Sequence, residues 1–334
     1  MDLVHINFLV IFIFFMINFF FRNQISQYLK IIDHPDKIRK LHKKPVPLNG
    51  GLWFFIMLII YNFGYLIFQI DLDYNIIYII SASILMFILG FIDDRISINA
   101  NLRLLLFFLI FFIVCEANNN LQIKQIVFES IELKINLNIF SSLFTAFCMA
   151  AFINSINLVD GINSLANTIL LIITLIIFYM FREEKILFYY LIFFLTINSI
   201  IIFKEKYFLG DSGSIGISSF LGFYIIYLYN TDIGSITKIF YTEDIFILMA
   251  FPGLDMIRVF FSRIINKKNP FKSERNHLHH YLLKKYKLSN TLFLYLIFMS
   301  IPIILNFIVG VYASYNLLFS IILYMVLLKI ATYD

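Results

Sequence analysis

Residues 139–163 read IFSSLFTAFCMAAFINSINLVDGIN. From Ile139 to Val159 there is no charged side chain. A run of about 20 apolar residues is what a helix needs to cross a hydrocarbon core of ~30 Å. The run then changes character within two turns. Asn154 and Asn157, three apart, fall on one helix face, and Asp160-Gly161 breaks the helix. One such segment in an otherwise polar chain would read as a buried core helix. Here the pattern recurs along the whole length, with runs near 6–22, 50–70, 76–92, 103–117, 139–157, 163–181, 186–203, 213–229, 243–262, 290–309 and 312–330. The chain therefore reads as an all-α polytopic membrane protein with about 11 transmembrane helices.

Composition agrees. Of 334 residues, 61% are hydrophobic and 14% charged, with a mean hydropathy of +0.86, whereas soluble domains are roughly half apolar and a quarter charged. The wealth of Ile, Phe, Asn, Lys and Tyr resembles an AT-rich coding bias, so single aromatic residues carry little information. The net charge of +5 excludes nothing by itself, but its lysines and arginines sit in loops between apolar runs, so no nucleic-acid partner is expected. Cys115 and Cys148 lie in apolar segments and suggest neither a disulfide framework nor a metal site. Ile6–Phe21 lacks a basic leader and a small-residue cleavage site, and is expected to be a retained helix. Residues 1–334 are thus expected to form a single membrane domain, with functional loops at 23–49, 93–103, 154–163, 204–214 and 263–289.

Loop charge orients the chain. Loop 23–49 holds Lys30, Lys37, Arg39, Lys40, Lys43 and Lys44; loop 263–289 holds Arg263, Lys267, Lys268, Lys272, Arg275, Lys284, Lys285 and Lys287; Arg95, Lys204 and Lys206 lie on the same side. The other side offers Lys124, Lys134, Arg182, Lys185 and Lys238. The N-terminus is expected outside and the C-terminus in the cytoplasm, in a cell inner membrane. On the outside, Leu121–Leu137 alternates apolar and polar residues, most clearly in Ile131-Glu132-Leu133-Lys134-Ile135, which predicts a small β-hairpin. All the unusual polar clusters then fall on the cytoplasmic side.

Each cluster has a structural and a chemical reading. Asp93-Asp94 ends the third span; it is either a solvated end paired with Arg95, or close like charges that supply a base or a cation site. Asn154, Asn157, Asp160, Gly161 and Asn163 crowd amides and a carboxylate into ten residues; amides in a span can glue helices, but this is more than glue requires. Gly210-Asp211-Ser212-Gly213-Ser214 opens the eighth span as an N-cap, through Asp211 or Ser212, as a metal–phosphate ligand, or as both. Three of the chain's 6 histidines, His277, His279 and His280, follow Pro270-Phe271-Lys272-Ser273-Glu274-Arg275. Neighbouring Lys272 and Arg275 repel a cation, so these imidazoles read better as donors to diphosphate oxygens than as a zinc site. Loop Asp36–Gly51 combines basic residues with Pro45-Val-Pro47 and Gly50-Gly51, suggesting a lip that contacts phosphate or headgroups. Asp255 and Arg258, spaced i,i+3 after Pro252, most simply pair with each other.

In this order and on these loops, the five segments closely resemble the polyprenyl-phosphate N-acetylhexosamine-1-phosphate transferases, the superfamily of WecA, TagO and the MraY translocase, over residues 33 to 283. His277-Leu-His279-His280 with Pro270-Phe271 ahead of it looks like the WecA/TagO branch. The resemblance implies attack by a polyprenyl (undecaprenyl) phosphate oxygen on the β-phosphorus of a UDP-N-acetylhexosamine, releasing UMP, at a first membrane step of cell-envelope glycan synthesis. It implies a Mg2+ cofactor, with Mn2+ able to substitute, held by Asp211 with Asn157 as the second protein ligand. By the same resemblance Asp93 and Asp94 form the acidic pair near the lipid phosphate, with Asp93 the base or orienting group, and Asp93, Asp94 and Asp211 are the catalytic set. Arg103 matches a phosphate contact. Asp160, Gly161 and Asn163 fall in the substrate-binding segment, with Gly161 and Asn163 where the family holds the uracil; Arg275, His277, His279 and His280 match the diphosphate and sugar site. Two positions depart from the family: Ser97 replaces a third Asp, and Asn163 replaces an Asp common in bacterial members, as in eukaryotic relatives. Neither removes a metal ligand. The sugar, the glycan pathway and a homodimer stay open.

Two rivals come from other classes. A transporter gathers polar residues at the bilayer midplane on broken helices, whereas these gather at one face. A CDP-alcohol phosphotransferase requires a long Asp-Gly…Asp-x-x-x-Asp motif that the chain lacks.

Overall fold

The computed structural model describes residues 3–35, 44–67, 73–181, 185–231, 240–270 and 275–333. Asp36–Lys43, the basic heart of the first loop, and Phe271–Glu274 lie outside them. The helices are α1 Leu3–Phe20, α2 Arg22–Leu29, α3 Leu52–Ile67, α4 Tyr74–Ile96, α5 Ala100–Ala117, α6 Ser141–Val159, α7 Leu165–Met180, α8 Lys185–Phe203, α9 Gly210–Thr231, α10 Thr242–Ile265, α11 Leu278–Lys285, α12 Leu288–Ile304 and α13 Ala313–Thr332. Two short antiparallel pairs accompany them: β1 Ile32–Asp33 with β2 Val46–Pro47, and β3 Gln125–Phe128 with β4 Leu133–Asn136.

Among the described residues, 8 helices are long and apolar enough to cross a membrane, and the pair α1–α2, bent by 82°, makes up to 9. Leu52–Phe63 and α7 are shorter apolar helices. Each segment expected to span contains one of these helices. Their burial differs widely: 94% of the α9 window is buried, against 17% for α5. That difference explains the sequence of α9. A helix enclosed by protein can carry Ser212, Ser214, Ser218 and Ser219, all buried; of these, Ser214 and Ser218 satisfy their hydroxyls on the preceding turn, at Asp211 O and Ser214 O.

The chain divides into two compact units, residues 1–99 with 166–224, and residues 100–165 with 225–334. In the first, Trp53 stacks on Phe194 at 5.3 Å, and Phe15 packs on the same ring at 5.2 Å. Polar fasteners lie between these apolar faces. Asn49 donates to Asn18 Oδ1 and to Arg22 O, and Asn18 donates back to Asn49 O. Asn167 donates to Leu195 O and Ser199; Asn198 donates to Asn167 Oδ1 and Gly50 O; Tyr207 donates to Asn198 Oδ1 at 2.6 Å. Buried amides are stable only when partnered in this way. The segment Tyr207–Leu209 runs beside Pro47–Gly50, with Phe208 N on Pro47 O at 2.8 Å and Gly50 N on Phe208 O at 2.9 Å.

In the second unit the hairpin pairs Gln125↔Asn136 through Phe128↔Leu133, inside the segment where alternation predicts it. Its latches are polar. Val127 N donates to Tyr229 OH and Thr242 Oγ1, Tyr229 OH donates to Gln125 O, and Ser130 donates to Glu243 through both its amide and its hydroxyl. Helices α10, α12 and α13 form the rest of this unit's core with Phe251, Tyr295 and Tyr324 in edge contact.

Candidate active site

In the first unit, α4 ends in the acidic pair because Ser97, at φ 52 in the left-handed region, stops it, its amide returning to Asp93 O. Asp93 is buried and accepts Ile98 N on Oδ1 at 2.6 Å. Asp94 reaches another helix: its Oδ1 accepts Asp211 N at 2.7 Å and its Oδ2 accepts Ser212 N at 2.9 Å. The first amides of a helix have no partner within it, and a carboxylate there also meets the positive end of the helix dipole. The cap of α9 is thus Asp94, and the local reading of Asp211 or Ser212 as their own N-cap is corrected. Both lie inside the helix, which starts at Gly210. Asp211 is half-buried at its first turn.

Glycines make this approach feasible. A Cβ on Gly90 would come within 2.6 Å of Asp211 O, and one on Gly51 within 2.5 Å of Gly213 Cα. Gly210, at φ +76, would bring a Cβ to 2.8 Å from Asp94 Oδ2. Of the Gly50-Gly51 pair, expected in a phosphate-contacting lip, Gly51 is therefore packed on the Gly-Asp-Ser-Gly segment and Gly50 on Phe208-Leu209 just before it.

The second unit carries the remaining candidates. Asn157 and Asp160 are half-buried at the end of α6, where Asp160 N turns back to Asn157 O at 3.2 Å. Asn163 lies in the turn before α7, and Arg103 is half-buried in the first turn of α5. Asn154 donates to Met256 Sδ at 3.5 Å. The Asp160-Gly161 turn meets the histidine cluster, because a Cβ on Gly161 would fall 2.7 Å from His279 Nε2 and 3.0 Å from His280 Cε1. The rings of His277 and His279 stack at 5.7 Å, and those of His279 and His280 lie 4.1 Å apart. His279 is fully buried, yet neither ring nitrogen has a partner among the described residues; Arg275 Nε is likewise buried and unpartnered. Unmet buried donors are rare in native structures, and a bound ligand is one way in which they are satisfied.

Sequence reading took Asp255 as a simple partner of Arg258. That pair exists, at 2.8 Å, but Asp255 also accepts His277 Nδ1 at 2.7 Å. Only a carboxylate buried in a span, an expensive placement, signalled a further role.

Burial holds His279 well below the ordinary histidine range, and its histidine neighbours add to the effect. Burial, followed by His277 and Arg275, brings His280 down to about 4. Both rings are neutral near pH 7, and each offers one N–H donor. Unfolded chain takes up these protons near pH 6.5, which folded His280 resists until about 4 and folded His279 resists well below its ordinary range. The unfolded state binds more protons in that window, so stability falls as pH drops through it. The melting temperature in detergent is expected to fall from pH 7 to 5, and to fall less in the His279→Gln/His280→Gln variant. Equal slopes would remove these rings from the acid response.

Comparison with known proteins follows the same residues. A family model described as glycosyl transferase family 4 matches residues 76–229, which include Asp93, Asp94, Asp160 and Asp211. The chain is 26% identical over 285 residues to the undecaprenyl-phosphate alpha-N-acetylglucosaminyl 1-phosphate transferase of Escherichia coli O157:H7, covering 82% of this chain and 75% of the relative. The Salmonella typhi transferase of the same name is 27% identical over 286 residues, with the same coverage. That of Thermotoga maritima is 27% identical over 283 residues, 81% of this chain and 80% of the relative. The family model's match spans three of the acidic motifs, and the chain is similar over most of its length to these transferases, which supports a place in the polyprenyl-phosphate N-acetylhexosamine-1-phosphate transferase superfamily.

Proposed function

We propose that the chain transfers an N-acetylhexosamine-1-phosphate from a UDP-sugar to a polyprenyl phosphate, releasing UMP, as the names of its relatives indicate. The observation that best supports this reading is the cluster of buried, unpartnered donors at His279 and Arg275, beside a turn that only glycine keeps open at Gly161. Such donors suit the oxygens of a diphosphate. The WecA/TagO branch, supported by the His277-Leu-His279-His280 motif, and the eleven spans with the N-terminus outside and a site facing the cytoplasm, supported by loop charge, complete the reading. N-acetylglucosamine is the first donor to test, from the relatives' names.

In this reading a lipid phosphate oxygen attacks the β-phosphorus, forming a new O–P bond. The bond from β-phosphorus to the bridging oxygen breaks, and that oxygen leaves with UMP. Asp93 orients the lipid phosphate; because a phosphate monoester already loses most of its second proton near pH 6, positioning is its main task. His277, His279, His280 and Arg275 hold the diphosphate and sugar, Arg103 contacts phosphate, and Asp160, Gly161 and Asn163 line the uracil side.

Among the described residues no group of three or more His, Cys, Asp or Glu is placed to surround a metal ion. Mg2+ needs no such cage, since one or two carboxylates and substrate phosphates suffice. The donors fit: the Asp211 carboxylate, on a turn fixed by Asp94, and the Asn157 amide oxygen are both hard oxygens. Mg2+ held by oxygens of this kind would neutralise the charge developing on the diphosphate. Purified protein is expected to release UMP from a UDP-N-acetylhexosamine only when undecaprenyl phosphate and Mg2+ are both supplied. No release across several UDP-sugars and lipid phosphates would sink the reading and favour a transporter.

A further inference from the structure

Asp255 sits in α10, is 1% exposed, and accepts from four groups at once. They are His277 Nδ1 at 2.7 Å, Leu278 N at 3.0 Å, Arg258 Nη2 at 2.8 Å and Tyr324 OH at 3.0 Å. Arg258 extends the same network, with Nε on Tyr324 OH at 2.9 Å and Nη2 on Asn276 O at 2.5 Å. Three consecutive residues, Asn276, His277 and Leu278, are thereby clamped to α10 and α13.

A clamp needed only for packing would not be built this way. Tying helices together by apolar contact is as stable as a buried ion pair and avoids desolvating two charges. What the carboxylate adds is direction. An ionised carboxylate only accepts, so His277 must place its proton on Nδ1, and Nε2 becomes the nitrogen left to face a ligand. Outer partners of this kind fix both the tautomer and the ring orientation of a ligating imidazole. The constraint continues along the chain, because Leu278 N on Asp255 sets the first turn of α11. That turn carries His279, stacked on His277, and His280.

We propose that Asp255 is a positioning residue for donor recognition: it fixes the ring of His277 and the start of α11 so that the three histidines converge on the phosphates of the UDP-sugar. This rests on the transfer reading above and adds a residue that acts on the nucleotide donor without touching it.

The test is steady-state release of UMP by the full chain in detergent, with UDP-N-acetylglucosamine and undecaprenyl phosphate varied separately. Asp255→Asn is expected to raise the KM for the UDP-sugar by roughly 10–100-fold, leaving the KM for the lipid unchanged and the protein folded. His277→Gln is expected to show a similar rise. The double variant should be no worse than either single one, as for two residues acting through one contact. Unchanged donor KM, a loss of kcat alone, or additive effects would overturn the proposal. If Asp255→Asn does not fold, Tyr324→Phe removes one donor from the carboxylate and should raise the donor KM a few-fold with the lipid KM unmoved; no change would count against the idea. A second readout is independent of turnover. In histidine-labelled protein, the His277 Nδ1–H proton should resonate far downfield and disappear in both Asp255→Asn and His277→Gln. Should wild type release no UMP, the transfer reading fails while this resonance still reports on the Asp255–His277 pair; absence of the resonance in active protein overturns the pair itself.

Discussion

Replacing Asp211 with asparagine is expected to lower turnover by roughly 10³-fold or more at any Mg2+ concentration, with the melting temperature kept or slightly raised. The two halves of that expectation have different origins. The backbone N–H of Asp211, not its side chain, carries the contact to Asp94, so an isosteric amide leaves the cap of α9 in place. The Asp94 and Asp211 carboxylates lie close enough to repel, and neutralising one relieves that repulsion. Chemistry, by contrast, loses the anionic oxygen proposed to hold Mg2+ against the diphosphate. Initial rates of UMP release over a Mg2+ series, beside thermal melting of the same preparation, check both halves. Turnover near that of the wild type would sink the metal assignment.

Asp94→Ala is expected to fail differently, losing stability together with activity. Both carboxylate oxygens are engaged by the first amides of α9 at 2.7 and 2.9 Å. Hydrogen bonds to a charged acceptor are worth about 1.5–3 kcal/mol each, and helix caps typically ~1 kcal/mol. The two amides would be left buried, because Gly90 and Gly51 admit the α4 and α3 backbones too closely for a replacement partner to enter. A fall in melting temperature well beyond that of Asp211→Asn is the predicted signature, with turnover lost because Asp211 is carried on the same turn. A variant that melts normally but does not turn over would instead make Asp94 a participant in the reaction alone.

Much of the candidate site was legible because its residues are out of place for a membrane protein. Carboxylates at the end of α4, amides in α6 and histidines before α11 disturb an apolar pattern, and each disturbance is visible within a few residues. The hairpin was legible for the same reason, since period-two alternation in Ile131–Ile135 is a local signal. The partnership of Asp94 with α9 was not. It joins residues 117 and 118 apart in sequence, and nothing next to Asp94 names the helix it caps. The glycines at 50, 51 and 90 looked like loop punctuation or nothing at all; their purpose is contact with the start of α9, a property of two backbones together. Asp255 seemed satisfied by Arg258 one turn away, which hid its bond to His277.

The amino-acid sequence by itself determined that the chain is helical and apolar enough for a membrane, where its helices break, and which polar residues are too costly to be incidental. Helix period, hydropathy and turn chemistry act between near neighbours, so they can be read along the chain. Tertiary structure alone decided what each of these residues meets: Asp94 caps the helix that carries Asp211, Gly161 leaves the gap beside His279, and Asp255 accepts from His277. In a low-dielectric interior a buried polar atom must find a partner, and only the packing of distant helices determines which partner comes within reach.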